Sequence, residues 1–206
     1  RVRDVVRRRL EQLSDHCNET LTLAAVYGRE FSLEVIEALK DADHGRVLDD
    51  LEEAADARII AEARGGDLNY LFTHDLVREA VCDQVKTARR TRMHAHIATV
   101  LERFYQGRVI EQHLAELARH FLAAGRAGDP DKAIDYSVRA GRRSLEQLAH
   151  EEAAIHYQRA LQSLIYTQPR DVAKRCELLL ALGSAQMKAG DAPQALESAR
   201  KLAEPG

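Results

Sequence analysis

After Thr87 the apolar residues recur every three or four positions, which is the spacing of one face of an α-helix. Two helices are predicted there, with apolar faces made of Met93, Ile97, Val100, Leu101 and Phe104, then of Ile110, Leu114, Leu117, Ala118, Phe121 and Leu122. Gly125, Gly128 and Pro130 end the second helix. Aromatic residues are only 5% of the chain and Trp is absent, which fits stacked Ala- and Leu-rich helices better than a β-sandwich. The predicted fold class is therefore mainly α.

Two stretches beyond Pro130 repeat one spacing of residues. Gly141 precedes Ala153, Tyr157 and Ala160 by the same 12, 16 and 19 positions that separate Gly183 from Ala195, Ala199 and Leu202. These intervals match the tetratricopeptide repeat, in which small residues let the two helices of a hairpin approach closely. The repeat spacing is 42 residues rather than about 34, and we attribute the difference to a longer connection around 167–170. An irregular Ala-rich helical bundle is the alternative interpretation.

The chain before Thr87 combines short helices with two strands. Helix signals lie at 1–13, from Ser14 or Asp15 to Gly28, from the cap Ser32 to Leu39, and from about Gly45 to Ala57. A β-hairpin is predicted from residues 59–63, a Gly65-Gly66-Asp67 turn, and the strand 68–73. Because three helices followed by a hairpin are the order of a winged helix, this region is predicted to be a degenerate winged helix.

A histidine and an aspartate stand where the second strand turns into a helix, in the run Phe72-Thr73-His74-Asp75-Leu76-Val77-Arg78-Glu79-Ala80. Asp75 is predicted to cap the free amides of that helix. An imidazole beside a helix N-terminus lies near amide dipoles that favour anions. The alternative is that His74 is a packed, hydrogen-bonded histidine and Asp75 only a cap.

Charge and motifs exclude several classes of function. The net charge of -3 gives no general attraction to nucleic acid or anionic membrane. The sequence contains no G-x-x-x-x-G-K-[ST] loop, G-x-S-x-G elbow or H-E-x-x-H helix. His113, Glu116 and His120 share a predicted helical face that can gather a metal, but ordinary solvated helix residues are the simpler interpretation. No catalytic residue, metal or cofactor is therefore expected in this chain itself.

Cysteine usage and apolar runs suggest a compartment. Three cysteines, widely spaced and without a C-x-x-C arrangement, argue against a disulfide framework and fit a reducing cytoplasm. The longest apolar runs, such as 178–182, are too short to span a bilayer. We therefore expect a cytoplasmic protein without a membrane segment.

The helix that would read DNA in a winged helix is acidic. Residues 44–57 carry Arg46 against five acidic residues, a net charge of -4 with His neutral. Since phosphate neutralisation supplies most non-specific DNA affinity, such a helix is repelled from the groove. The basic cluster of Lys86, Arg89, Arg90 and Arg92 is read as a solvated helix face. Sequence-specific DNA binding is thus disfavoured.

The chain resembles the segment that follows the P-loop ATPase core in STAND-class signalling ATPases, in particular the bacterial branch linked to adenylate/guanylate cyclases and LuxR-type regulators. The resemblance covers most of the chain to about residue 165. Its residues in the first half are Arg9-Leu10 with Leu13-Ser14, Leu23-Ala24-Ala25-Val26-Tyr27-Gly28-Arg29-Glu30-Phe31, the run from Phe72 to Ala80, and Met93-His94. Those in the second half are Leu117-Ala118-Arg119-His120-Phe121, and Ala133-Ile134 with Tyr136 and Ala140-Gly141.

The resemblance implies a role for the junction histidine. In that superfamily the winged helix folds back on the nucleotide domain, and the histidine of a Met-His-Asp motif contacts the β-phosphate of ADP in the closed state. Thr73, His74 and Asp75 occupy the corresponding place, with Thr where the motif has Met. His74 is thereby implied to sense nucleotide, with Asp75 as its orienting cap, only together with the ATPase domain of a parent that binds ATP or ADP with Mg.

Four segments are predicted: a linker helix from a missing upstream domain at 1–13, a winged-helix domain at 14–87, connecting helices at 88–130, and incomplete tetratricopeptide-like repeats at 131–206. The predicted function is a non-catalytic regulatory and protein-interaction segment of a STAND-type signal-transduction ATPase. Its partners would be the nucleotide domain of the same chain and a protein or inducer bound by the repeats. A freestanding helical-repeat adaptor is the main alternative, and a DNA-binding winged helix the third.

Overall fold

The computed structural model describes residues 2–41, 44–63, 68–106, 110–168 and 170–203. The chain divides into two compact units, residues 1–104 and 105–206. Both units are built mainly from α-helices, so the predicted fold class is confirmed. The finer division into four segments stays a prediction.

The first unit contains six helices and three short strands within its described residues. In chain order they are α1 (Val2–Leu10), α2 (Asp15–Tyr27), β1 (Glu30–Ser32), α3 (Leu33–Lys40), α4 (His44–Asp56), β2 (Ile60–Glu62), β3 (Asn69–Phe72), α5 (Asp75–Asp83) and α6 (Thr87–Tyr105), the last ending one residue into the second unit. Their shared core is formed by large, fully buried side chains, among them Leu21, Ile36, Leu51, Ile59 and Phe72.

Local hydrogen bonds fix the helix ends where the sequence predicts them. The Ser14 hydroxyl accepts from the Cys17 amide at 3.1 Å and so caps α2. The Gly28 amide donates to the Ala24 carbonyl at 2.9 Å at the other end of the same helix. The Ser32 hydroxyl accepts from the Val35 amide at 3.3 Å and caps α3.

The sheet has three antiparallel strands in the order β1-β3-β2. The predicted pairing of the two hairpin strands is confirmed, since β2 pairs with β3 in a register that places Ile60 opposite Phe72. The predicted Gly65-Gly66-Asp67 turn lies outside the described residues. The third strand, β1, was not predicted, because three residues directly before a helix are too short to show an alternation. Its anchor is Phe31, which is buried and lies 6.1 Å from the Tyr70 ring and 5.9 Å from the Phe72 ring.

The second unit consists of helices that pack against their neighbours in the chain. They are a 3₁₀ turn (Ile110–His113), α7 (Leu114–Ala124), a second 3₁₀ turn (Gly125–Ala127), α8 (Pro130–Glu146), α9 (His150–Thr167), α10 (Val172–Lys188) and α11 (Ala192–Ala203). The helix predicted to start at Ile110 therefore begins as a 3₁₀ turn. Asp129 caps α8, since its carboxylate accepts from the amides of Asp131 and Lys132 at 3.0 and 3.2 Å.

The extra length of the repeat lies in its helices rather than in a long connection, so that expectation was wrong. α8 and α9 have 17 and 18 residues, and only three and four positions lie in the connections after them. A 34-residue repeat is eight residues shorter than this one, and such connections are too short to contain eight extra residues. The 42-residue period therefore comes from long helices.

The glycine of the first repeat allows α8 and α9 to approach closely. A Cβ atom at Gly141 would lie 2.9 Å from Cζ of Tyr157, whose ring is buried in the core of α8, α9 and α10. At Gly183, in the second repeat, a Cβ atom would have its nearest neighbour at 3.7 Å, the Cβ of Ser198. A methyl group therefore fits at Gly183 in ordinary contact, and Ala199 stands where the first repeat has Tyr157.

Candidate functional site

The turn between β3 and α5 holds the junction histidine on a fixed backbone. The Phe72 amide donates to the Arg29 carbonyl at 3.0 Å, and the Thr73 amide donates to the Ile59 carbonyl at 3.1 Å. The Thr73 hydroxyl lies 3.2 Å from the carbonyl oxygens of Arg58 and Ile59. Neighbouring strand segments therefore determine where the next residue stands.

His74 occupies the N-cap position of α5, and its side chain is exposed. Its ring makes no capping hydrogen bond, and none of the hydrogen bonds within the described part of the chain involves it. The alternative of a packed, hydrogen-bonded histidine does not fit this environment. The imidazole is instead available to a ligand or to another surface.

Asp75 is the first residue of α5 and does not cap it, so the predicted capping role is corrected. Its carboxylate lies 3.3 Å from Nη1 of Arg29, and both side chains are more than half exposed. An ion pair this exposed contributes only about 0 to 1 kcal/mol. Asp75 still places a negative charge at the helix N-terminus, where the amide dipoles favour it.

The rest of α5 is anchored to α2 beneath the turn. Nη1 of Arg78 donates to the Ala25 carbonyl at 3.2 Å, and the Cys82 thiol donates to the same oxygen at 3.3 Å. Burial raises the pKa of the Cys82 thiol, which keeps the thiol protonated as a donor. Val77 and Val81 are buried on the same side. The exposed side is left to His74, Asp75 and Leu76, which form a small surface patch.

Two side chains at this patch, His74 and its neighbour Arg29, are of types that can bind an anion. An imidazole on a rigid turn can donate a hydrogen bond to an anionic oxygen, and the Arg29 guanidinium nearby can add positive charge. Arg29 and Arg78 were not singled out from the sequence, because their partners are 46 and 53 residues away.

Two of the five acidic residues of α4 are hydrogen-bonded to other parts of the first unit. Asp50 is 8% exposed, and its Oδ2 atom accepts from the Thr20 hydroxyl and lies 3.0 Å from Nζ of Lys40. The Glu53 carboxylate accepts from the Ser14 amide and hydroxyl at 2.6 and 2.7 Å. The acidic charge that faces solvent is therefore carried by Asp49, Glu52 and Asp56, against Arg46.

The candidate metal ligands make other contacts; His113 ends the first 3₁₀ turn, and Glu116 and His120 lie on α7. The His113 ring stacks on Tyr105 with centroids 3.7 Å apart, and its Nδ1 lies 3.3 Å from the Glu116 carboxylate. The His120 ring is fully buried, with Nε2 2.8 Å from Nη2 of Arg119. Within the described ranges, no group of three or more His, Cys, Asp or Glu side chains is placed to hold a metal ion.

The last helical hairpin leaves apolar side chains in solvent. Leu196 on α11 is 74% exposed, and Leu180 and Met187 on α10 are each about 60% exposed. They border a groove of about 530 Å³ that also includes Gly183 and Ala199. No described helix combines the length and the apolar character needed to cross a membrane.

Comparisons with known proteins found a similar solved structure. No family model matches the chain, and no match was found among curated protein sequences. The chain is similar to the crystal structure of a STAND protein with a tetratricopeptide repeat sensor from Pyrococcus horikoshii, at 14% identity and a TM-score of 0.34. The match covers 95% of this chain and 32% of that protein, so the chain spans about a third of its length.

Proposed function

We propose that the chain is the non-catalytic regulatory and protein-interaction segment of a STAND-type signal-transduction ATPase. The region 14–87 acts as a winged helix that restrains the nucleotide domain, and the helical hairpins bind a partner or inducer. The parent is a cytoplasmic protein that binds ATP or ADP with Mg and controls an effector such as a cyclase or a transcription regulator.

The exposed imidazole of His74 on a fixed turn is the observation that carries this proposal. A group that recognises phosphate across an interface has to stand on a rigid backbone and has to be free of partners in its own domain. The His74 ring is exposed, while the residues before and after it are held by hydrogen bonds and burial. Thr73 differs from the Met of the family motif, and its hydroxyl is directed to backbone carbonyls instead of the His74 ring.

The element order of the first unit supports the winged-helix interpretation. The order α2-β1-α3-α4-β2-β3, with β3 in the middle of the sheet, combines three helices with a hairpin and one added strand. In this arrangement α4 is the helix that would read DNA. Its exposed charges are three acidic residues against Arg46, which disfavours a DNA-binding role and leaves the unit for protein contact.

The proposed mechanism is a shift between two states. The winged helix packs on the ADP-bound nucleotide domain and stabilises a closed parent, while ligand binding to the repeats favours the open state. In this chain His74 would donate a hydrogen bond to a phosphate oxygen, and Arg29 would add positive charge nearby. The phosphate-binding loop would belong to the parent domain, so this segment by itself should hold nucleotide weakly or not at all.

The substitution His74→Ala tests the proposal. A hydrogen bond to a charged phosphate is worth roughly 1.5 to 3 kcal/mol, so ADP should leave the full-length parent about ten to a hundred times faster. Signalling without inducer should rise. The free energy of unfolding of the 206-residue chain should change by less than about 0.5 kcal/mol, because the side chain is exposed.

His16→Ala is the matched control, because it removes another exposed histidine from the same unit. It should leave both the ADP release rate and the free energy of unfolding unchanged. If His74→Ala destabilises the chain and leaves the ADP release rate unchanged, His74 is not a nucleotide sensor.

The sequence upstream of residue 1 in the gene separates this proposal from a freestanding helical-repeat adaptor. A G-x-x-x-x-G-K-[ST] loop a few hundred residues before this segment would support an ATPase parent, because its amides and lysine hold nucleotide phosphates. An upstream sequence without such a loop would favour the adaptor.

A further inference from the structure

A cavity of about 620 Å³ in the second unit is lined by arginine side chains. Its walls come from α7, the turn after α7, the start of α8, and α9. On α9 the lining residues Arg159, Gln162, Ser163 and Tyr166 stand at positions i, i+3, i+4 and i+7, so one face of the helix points into the cavity. The sequence pattern of α9 gave no sign of this, because its core-facing stripe dominates the periodicity.

The cavity combines an apolar surface with neutral hydrogen-bonding groups. Phe121, Leu122, Pro130 and Ala133 supply apolar atoms from α7 and α8. Gln162, Ser163 and Thr167 supply amide and hydroxyl groups from α9. Ligand pockets of about 300 to 1,000 Å³ typically have this composition, in which an apolar lining carries a few polar groups that fix orientation.

The charge of the cavity has one sign. Arg119 and Arg159 both line it, and no described residue of the lining is acidic. A third guanidinium, that of Arg126, lies 5.2 Å from the centre of the Tyr166 ring, which is itself part of the lining. Guanidinium groups bind carboxylates and phosphates through paired hydrogen bonds, and their planar groups stack on aromatic rings.

We propose that this cavity binds a small organic anion, a carboxylate or phosphate ester that carries an apolar or aromatic group. The anionic group would lie between Arg119 and Arg159, and the apolar group would contact Phe121 and Leu122. If the repeats sense an inducer, as proposed above, this chemistry defines the class of inducer. The proposal of an anion site itself rests only on the residues that line the cavity, and not on the proposed function.

Calorimetric titration of the 206-residue chain with phenyl phosphate tests the site. Phenyl phosphate should bind, whereas benzylamine, a cation of similar size, should not. Arg159→Gln should weaken the binding of phenyl phosphate about tenfold or more, because a charge-assisted hydrogen bond is lost. Lys188→Gln is the matched control, since it removes one exposed positive charge from α10 away from the cavity; it should leave the Kd unchanged.

Three results would overturn the site: binding of benzylamine as tight as that of phenyl phosphate, an unchanged Kd in Arg159→Gln, or a tetraglutamate peptide that binds more tightly than phenyl phosphate. Arg159 is the decisive position because it is exposed, so its substitution should leave the melting curve unchanged. Arg119 contacts the buried His120 ring, so Arg119→Gln is interpreted only with a matching melting curve. No nucleotide is present in this titration, so its failure leaves the His74 test standing, and the reverse holds as well.

Discussion

The two units of the chain are stabilised in different ways. In the first unit, polar side chains from distant parts of the sequence bind each other, as Thr20, Lys40 and Asp50 do. In the second unit, consecutive helices approach through small residues, as α8 and α9 do at Gly141. The first unit therefore adds a buried polar cluster to its apolar core, and the second has a close helix approach at a glycine.

This difference predicts how each unit responds to substitution. Removing one member of a buried polar pair leaves the other desolvated without a partner, which is costly. Adding or removing volume in a helical hairpin costs only what the local packing cannot absorb. The loss of one buried polar partner should therefore be costly in the first unit, and a change of volume at a close helix contact should be costly in the second.

The substitution Asp50→Ala should have the largest effect. It would leave the Lys40 ammonium, only 19% exposed, without its carboxylate partner, and breaking such a pair costs about 3 kcal/mol. Urea denaturation would measure the free energy of unfolding, and amide hydrogen exchange should show the loss of protection in the first unit.

The neighbouring residue provides the control for Asp50. Asp49 lies on the same helix with an exposed side chain, so Asp49→Ala should change the free energy of unfolding by no more than about 0.5 kcal/mol. Equal effects at the two positions would mean that the buried pair does not stabilise the first unit. The double variant with Lys40→Met should recover part of the loss, because the orphaned charge is then absent.

Two glycines of the second unit should respond to alanine with opposite signs. Alanine is favoured over glycine in a helix by about 1 kcal/mol, so Gly183→Ala should stabilise, since the new methyl would have 3.7 Å to its nearest neighbour. Gly141→Ala should destabilise by about 1 to 2 kcal/mol, because the methyl would lie 2.9 Å from the buried Tyr157 ring. Thermal denaturation of both variants gives the comparison, and stabilisation by both would show that the contact with Tyr157 is not tight.

The first unit should also lose stability at alkaline pH through Cys17. Burial, followed by the nearby carboxylates of Glu53 and Asp50, raises the pKa of the Cys17 thiol from 9.0 to about 12. A raised pKa means that the folded state holds the proton more tightly, so the stabilisation is complete below pH 9 and is lost as pH rises toward 12. At pH 10 this loss should reach about 1 kcal/mol.

Denaturation in urea at pH 8 and pH 10 checks the Cys17 prediction. Cys17→Ala should reduce the difference in unfolding free energy between the two pH values. Cys176→Ala, which removes a half-buried thiol of the second unit, should not. The same slope in Cys17→Ala as in the unaltered chain would show that other groups cause the alkaline loss.

Much of the fold follows from local signals in the sequence. Ser14, Ser32 and Gly28 fix helix ends through contacts within four residues, and the hairpin follows from alternation and a glycine turn. Strand β1 was not predicted, because it is short and pairs with a partner about 40 residues away. The connection after α9 was misjudged because the repeat period alone does not tell helix length from loop length.

The candidate sites also contain some features that the local sequence predicts and others that it does not. The place of His74 at a strand-to-helix junction could be read locally, since the pattern changes there from strand to helix. Its exposure could not, because exposure depends on how β2, β3 and α2 pack around it. The Thr20, Lys40 and Asp50 contacts and the cavity of Arg119 and Arg159 were missed for the same reason: their members lie tens of residues apart and share no local pattern.

The smallest expected effect is a loss of stability of the second unit at acid pH. It contrasts with the loss of stability of the first unit at alkaline pH. Burial, and then the positive charge of Arg159, lowers the pKa of His156 from 6.5. The unfolded chain therefore binds this proton more readily than the folded chain, so stability falls as pH drops below about 6.5 and stops falling below the folded pKa. The buried Nδ1 of His156 has no hydrogen-bond partner among the described residues. The nearby Glu152 carboxylate offsets only part of the cost of charging the ring. His156→Gln should lose less stability than the unaltered chain between pH 7.5 and pH 5.5, whereas His16→Gln, at an exposed position on α2, should match the unaltered chain. Equal acid losses in all three proteins would assign the acid sensitivity to other groups.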